Sequence, residues 1–329
     1  MSFANPSANA SPPIMPTPSR VPWMNVAAFV ITACGLAWLV TLPLWLNGGL
    51  GNPLTGLLLP AMMITPALAT LLVVFVGKTP RTGRVRFLGL WPLRPLRSTL
   101  GMSAIAIGGT FAIVIAATFL SAALGFVRLD LANFSGFAET LALALPEGAH
   151  VPPTKVLVLV QLLALPLAAV FNGILALGEE LGWRGWLLPA LAPLGIWPTL
   201  LISGVIWGLW HAPLILLGYN FGRTDITGVL FMIGGCVTWG ILFGWLRLRT
   251  RSVWPAVFAH GALNAIAGLV LLLAAAGHTL DLAVIGPLGI VSWAVIGLTI
   301  GILTATGQFR RDRLTLPDPT PGHSTEVAR

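Results

Sequence analysis

The feature that most constrains this chain is a series of eight long apolar runs with few charged residues inside them. A helix needs about 20 mostly apolar residues to cross a bilayer, whereas the strands of a membrane barrel alternate polar and apolar residues. Because these runs do not alternate, the sequence predicts an all-α, polytopic membrane helix bundle with about eight transmembrane helices. The predicted spans are Trp23–Leu46, Pro53–Val76, Thr99–Phe126, Leu157–Gly178 with a continuation, Ile196–Gly218, Ile226–Leu246, Val253–Ala276 and Ala283–Thr306.

Composition supports a membrane location. Hydrophobic residues make up 56% of the 329 residues and charged residues only 9%, against about 25% charged residues in a typical soluble domain. A soluble fold of this length could not bury so much apolar surface, and a bilayer removes the need to bury it.

The net charge of +8 follows from loops that alternate in charge. The basic loops hold Lys78, Arg81, Arg84, Arg86, Arg94 and Arg97 after the second run, Arg247, Arg249 and Arg251 after the sixth, and Arg310, Arg311 and Arg313 after the last. The other loops hold Asp130, Glu139, Glu147, Asp225 and Asp281, against Arg128, Lys155 and Arg223. Short basic loops stay in the cytoplasm, so we expect a plasma-membrane protein with both termini cytoplasmic. The basic residues are then a topology signal with some attraction to membrane lipids, and a nucleic-acid partner is not expected.

The chain divides into three parts. Residues 1–20 are rich in Pro, Ser, Ala and Asn and predict a disordered tail. Residues 21–309 form one membrane-embedded domain, and residues 310–329 form a polar C-terminal tail. Within the domain, residues 151–190 are too long for one straight span, which predicts a kink near Pro166 or an interfacial first part.

Glycine pairs at four-residue spacing predict close helix–helix packing in lipid. Such pairs recur at Gly178/Gly182, Gly204/Gly208, Gly240/Gly244 and Gly297/Gly301.

Very few ionisable or strongly polar residues fall inside the apolar runs, and such residues are costly in a membrane and usually functional. Among them are Glu179, Glu180, His211 and His260, with Asn264 four residues after His260. Allowing for errors in helix boundaries, a rise of about 1.5 Å per residue brings Glu179, His211 and His260 to similar depths. We therefore expect them to meet at one water-accessible cavity among the fourth to seventh spans.

Helical spacing orders these side chains. Glu179 and Glu180 point about 100° apart, so they cannot both face one point. Glu180 can pair with Arg184 four residues later, which leaves Glu179 free to face the interior of the bundle. His260 and Asn264 also share a helix face, as do Trp207 and His211.

Two chemical routes fit these residues. Glu179 with a histidine can deprotonate a water, while a second histidine and an asparagine donate hydrogen bonds to an oxyanion. Alternatively, Glu179, His211 and His260 could hold Zn²⁺ with an open position for water. Both routes hydrolyse a carbonyl compound such as a peptide, and the sequence does not choose between them.

The polar residues also form three ordered motifs between residues 178 and 264. Glu179-Glu180-x-x-x-Arg184, Trp207-x-x-x-His211 and His260-x-x-x-Asn264 resemble those of the CPBP family, the CAAX prenyl protease and bacteriocin-processing family of intramembrane proteases. Trp207 stands where that family more often has Phe.

The resemblance implies a site and a substrate class. It implies that Glu179 and His211 activate water, that His260 and Asn264 stabilise the oxyanion, and that Glu180, Arg184 and Trp207 support them. Members are described as metalloproteases, and a metal-free glutamate mechanism is also argued for them. The resemblance therefore leaves open whether the site binds Zn²⁺. The implied partner is a peptide or a prenylated or membrane-associated protein. The alternatives are a catalytically silent immunity or scaffold protein and a proton-coupled transporter.

Overall fold

The computed structural model describes residues 18–91, 93, 96–146 and 151–314. The predicted tails therefore lie mostly outside the described residues, as do Arg94 and Glu147. Across the described ranges the fold is all-helical, as predicted, and the closest approach to a sheet is one isolated bridge between Leu129 and Ala274.

Nine helices organise the described part of the chain. They are α1 (Trp23–Leu46), α2 (Thr55–Val76), α3 (Leu96–Ala123), α4 (Ser135–Ala144), α5 (Thr154–Leu194), α6 (Ile196–Trp210), α7 (Ile226–Thr250), α8 (Trp254–Leu273) and α9 (Leu282–Ala305). Seven of them, all except α4 and α6, are long and apolar enough to cross a membrane. The protein is thus an integral membrane protein.

Helix α6 is shorter than the fifth predicted span. It ends at Trp210, His211 is its C-terminal cap, and a separate short helix follows at Ala212–Ile215. Pro213 explains the break, because proline has no N–H with which to continue the hydrogen-bond ladder. The interruption leaves His211 at a helix end.

Helix α5 changes its type beside the polar motif. The α-helical pattern runs through Pro166 as far as Glu180, and residues Leu181–Leu187 then form a π-helical turn. The sequence predicted a kink near Pro166 or an interfacial first part, and the change in hydrogen bonding comes after Glu180. Short π-helical segments are rare and are often found at functional sites.

Glycines let α6 and α7 approach closely. A Cβ atom added to Gly204 would lie 2.7 Å from Cα of Val237, and one added to Gly208 would lie 2.5 Å from Cα of Ile233. The predicted close packing is confirmed at this pair. It is wrong for the pair Gly297/Gly301, where an added Cβ would meet nothing within 4 Å.

The loops gather at two opposite ends of the bundle. At the end that we call the basic end, N–H of Val253 donates to the carbonyl of Gly89 (3.0 Å), and Arg249 donates to the carbonyl of Arg313 (3.0 Å). This end comprises residues 77–91, 247–253 and 306–314. At the opposite end, residues 124–134, 216–225 and 274–281 meet through the Arg223–Asp281 ion pair (2.9 Å) and related backbone contacts.

Candidate active site

One cavity of about 690 Å³ lies within the bundle. Its wall includes five of the residues singled out in the sequence, Glu179 from α5, Trp207 from α6, His211 from the end of α6, and His260 and Asn264 from α8. Much of the remaining wall is apolar and comes from α2, α8 and the start of α9. The structure thus brings together polar side chains that are up to 85 positions apart in the sequence.

Glu179 is a buried carboxylate at the end of the α-helical part of α5. Its Oε2 accepts a hydrogen bond of 2.8 Å from the indole Nε1 of Trp207. A bonded carboxylate oxygen fixes the plane of the group, and the side chain still lines the cavity.

Glu180 turns away from the cavity and forms a buried polar cluster. Its Oε1 accepts from Nη1 of Arg184 at 2.7 Å and lies 2.9 Å from Nδ1 of His260. The pairing of Glu180 with Arg184 matches the prediction from their spacing. The Arg184 guanidinium also lies over the ring of Trp207, 4.4 Å from its centroid. Burying charges is costly unless they are paired, and this cluster supplies the pairing.

His260 therefore has a defined ring orientation. A carboxylate only accepts hydrogen bonds, so Nδ1 of His260 carries the hydrogen that it shares with Glu180. Nε2 is the other ring nitrogen, and the His260 side chain lines the cavity.

His211 is oriented by the backbone of its own helix. Its Nδ1 lies 2.9 Å from the carbonyl oxygen of Trp207, four residues earlier. Because a carbonyl only accepts, Nδ1 carries a hydrogen and Nε2 of the neutral ring has a free lone pair. The thiol of Cys236 lies 3.8 Å from Nδ1.

Trp207 connects Glu179 and His211. Among the hydrogen bonds of the described residues, none joins these two side chains directly. Its indole N–H binds the carboxylate, and its carbonyl holds the imidazole. The sequence predicted an aromatic support at this position. The hydrogen bond from the indole was missed, and it depends on the rotation of α6 relative to α5.

Asn264 lies one helical turn beyond His260 on α8, and its side chain is exposed to the cavity. The same wall includes Asn172, which the sequence analysis did not consider. Asn172 precedes Glu179 by seven residues, about two helical turns, so heptad spacing on α5 was the signal that could have found it.

The zinc alternative depends on the ligands that the described residues offer. Among residues 18–91, 93, 96–146 and 151–314, no group of three His, Cys, Asp or Glu side chains could hold a metal ion. Glu180 holds Nδ1 of His260 and the Trp207 carbonyl holds Nδ1 of His211, so in each ring Nε2 is the nitrogen that remains for a ligand or a water.

The fold and the cavity together define a class, a polytopic helical membrane protein with a buried glutamate, two histidines and an asparagine at one internal surface. Residues 158–266 match the family model described as type II CAAX prenyl endopeptidase Rce1-like. Over these residues, about a third of the chain, the protein is similar to the CPBP family, a family of intramembrane peptidases. No curated protein matches the chain.

Proposed function

We propose that this protein is an intramembrane endopeptidase that hydrolyses a peptide bond of a membrane-associated substrate. The observation that carries the proposal is the shared cavity, whose wall holds Glu179, His211, His260 and Asn264. Hydrolysis needs a proton acceptor for water and donors for the oxyanion, and these four side chains supply both.

Glu179 and His211 act on the water in this mechanism. Trp207 binds one oxygen of the carboxylate, which leaves Oε1 of Glu179 to accept a hydrogen from water. Nε2 of His211 has the lone pair for the same task. The water oxygen then attacks the carbonyl carbon of the substrate, and its proton passes to this pair.

His260 and Asn264 receive the negative charge that develops on the carbonyl oxygen. The Asn264 amide donates to that oxygen directly. Glu180 holds Nδ1 of His260, so Nε2 is the ring nitrogen that takes part. Breaking of the C–N bond then returns the proton held by Glu179 or His211 to the leaving amine.

The proposed setting is the plasma membrane, with both termini in the cytoplasm. Short basic loops favour the cytoplasmic side, and the loops rich in arginine meet at one end of the bundle. The proposed substrate is a polypeptide held at or in the membrane, with or without a prenyl group.

Substitution of Glu179 tests the mechanism. Purified protein in lipid nanodiscs is incubated with quenched fluorescent peptides, with and without a farnesylated cysteine, and products are identified by mass spectrometry. We expect Glu179→Gln to abolish cleavage and to leave the thermal unfolding midpoint unchanged. Glu139→Gln is the matched control, because Glu139 is exposed on α4 and far along the chain from the motifs. Cleavage retained by Glu179→Gln would overturn the mechanism.

A further inference from the structure

Pro189 leaves one carbonyl of the π-helical turn without its backbone partner. A π-helix bonds each N–H to the carbonyl five residues earlier, and the N–H of Leu188 bonds to the carbonyl of Trp183 in this way. The next bond in the series would join residue 189 to Arg184, and proline has no N–H to donate. A buried carbonyl without a donor is costly, so the carbonyl of Arg184 needs a donor from outside its own helix.

Arg247 of α7 supplies that donor. Its Nε donates to the carbonyl of Arg184 at 3.0 Å, and its Nη2 donates to the carbonyl of Phe87 at 2.7 Å. The sequence analysis counted Arg247 among the loop charges, whereas the structure places it within α7, fully buried. Within the described residues it forms no ion pair. Because a buried charge needs polar contacts, these two carbonyls hold the guanidinium in place.

Gly89 lets the chain close over this guanidinium. Its φ of +73° is left-handed, and a Cβ atom added to Gly89 would lie 2.7 Å from Cζ of Arg247. The carbonyl of Gly89 accepts from the N–H of Val253, just before α8, at 3.0 Å. The guanidinium is thereby enclosed between the π-helical turn and the segment around Gly89, which fixes the geometry of its bond to Arg184.

The backbone of Arg184 determines where its own side chain lies. Its guanidinium binds Glu180, which in turn holds Nδ1 of His260. The same guanidinium lies 4.4 Å from the ring centroid of Trp207, whose indole donates to Glu179. Arg184 therefore contacts both of the groups that orient the carboxylate and the imidazole of the cavity, and a shift of its backbone would reach both.

We propose that Arg247 is a positioning residue for hydrolysis at this cavity. It replaces the N–H that Pro189 lacks and fixes the backbone of Arg184, through which it acts on Glu179 and His260. The proposal rests on the proposed function.

The expected effect is on kcat alone. Arg247 lies outside the wall of the cavity, so its loss leaves KM unchanged. Misplacing the reacting groups by about 1 Å can lower a rate about 100-fold. For Arg247→Met, which removes both donated hydrogen bonds, we expect kcat to fall by about 10- to 100-fold.

Replacement of Pro189 gives a rescue that is specific to this bond. Pro189→Ala supplies an N–H five residues after Arg184, so Arg247→Met/Pro189→Ala is expected to recover much of the kcat that Arg247→Met loses. The matched control is Arg249→Met, which removes an exposed arginine of the same helix that donates to the carbonyl of Arg313 (3.0 Å). Its kcat should equal that of the wild type. All rates are normalised to the amount of folded protein, measured by size-exclusion chromatography in detergent.

Hydrogen–deuterium exchange followed by mass spectrometry reads the same bond without cleavage. We expect the amides of Leu181–Leu187 to exchange faster in Arg247→Met, to slow again in the double variant, and to be unchanged in Arg249→Met. An unchanged kcat or unchanged exchange in Arg247→Met, or losses that Pro189→Ala does not recover, would refute the proposal.

Two features keep the test decisive. If Arg247→Met does not accumulate in the membrane, Arg247→Lys takes its place in the same comparison. Lysine keeps the charge and lacks the planar fork of donors, so a smaller loss with the same recovery is expected. Exchange requires no cleavage, so failure of this proposal is distinguishable from failure of the proposed function, which Glu179→Gln tests.

Discussion

The indole Nε1 of Trp207 donates a 2.8 Å hydrogen bond to Oε2 of Glu179 across the interface between α6 and α5. This contact places a buried donor on the carboxylate that we propose as the proton acceptor. A phenylalanine, the residue more frequent at this position in the family that the motifs resemble, could fill the space and could not donate. The bond is therefore a feature of this chain that a Trp207→Phe substitution removes.

Trp207→Phe is expected to lower kcat by about 10- to 100-fold. A hydrogen bond to a charged group contributes about 1.5–3 kcal/mol, and each 1.36 kcal/mol corresponds to about a tenfold change in rate. Steady-state kinetics measures the effect. The control is Trp186→Phe, which removes an indole hydrogen bond to the carbonyl of Thr79 outside the cavity. Equal kcat values for wild type and Trp207→Phe would contradict the role of this bond.

His211→Ala is expected to reduce cleavage by about 100-fold or more, the typical contribution of a positioned acid–base group. Membrane insertion should be normal, because His211 lies at a helix end and lines a cavity. Cleavage rates are compared with those of His278→Ala, whose side chain is exposed in the loop before α9. A rate close to that of the control would remove His211 from the mechanism.

Glu180→Leu is expected to destabilise the fold by about 3–5 kcal/mol, since it leaves the buried Arg184 charge without its carboxylate. The double variant Glu180→Leu/Arg184→Met should recover much of that loss. The free energies of unfolding are compared by heat or denaturant unfolding of the purified variants in detergent. Arg223→Met serves as the control at the partly exposed Arg223–Asp281 pair, where about 0–1 kcal/mol is expected. If the double variant is no more stable than Glu180→Leu, the unpaired Arg184 charge is not the cause of the lost stability.

Gly208→Ala is expected to destabilise the protein by about 1–3 kcal/mol, the usual cost of overpacking. The added Cβ would lie 2.5 Å from a backbone atom of α7, which cannot move aside as a flexible side chain would. Gly297→Ala should be neutral or slightly stabilising, because its Cβ meets nothing within 4 Å. Similar unfolding midpoints for the two variants would show that α6 and α7 pack less closely than described.

Chelator treatment is expected to leave cleavage unchanged. The reason is the ligand geometry, because the described residues provide no group of three metal-binding side chains. The measurement is the cleavage rate before and after incubation with 1,10-phenanthroline, together with elemental analysis of the purified protein. Stoichiometric zinc and a chelator-sensitive rate restored by added zinc would contradict the metal-free mechanism.

The helical class and the membrane location could be predicted from the sequence because both depend on local properties. Apolar runs of about 20 residues are long enough to cross a bilayer and therefore indicate a membrane location. A carboxylate or imidazole inside such a run stands out, because placing it in the membrane is costly. For the same reason, the sequence alone singled out Glu179, His211, His260 and Asn264, and the spacing of Glu180 and Arg184 predicted their pairing.

Contacts between helices were decided only by the tertiary structure. A rise of 1.5 Å per residue estimates the depth of a side chain, and it leaves the rotation of each helix and the partner of each polar atom undetermined. The bond from Trp207 to Glu179 and the contact of Glu180 with His260 join residues 28 and 80 positions apart. Which of these side chains meet at one cavity depends on how α2, α5, α6 and α8 pack around it, because packing fixes the rotation of each helix.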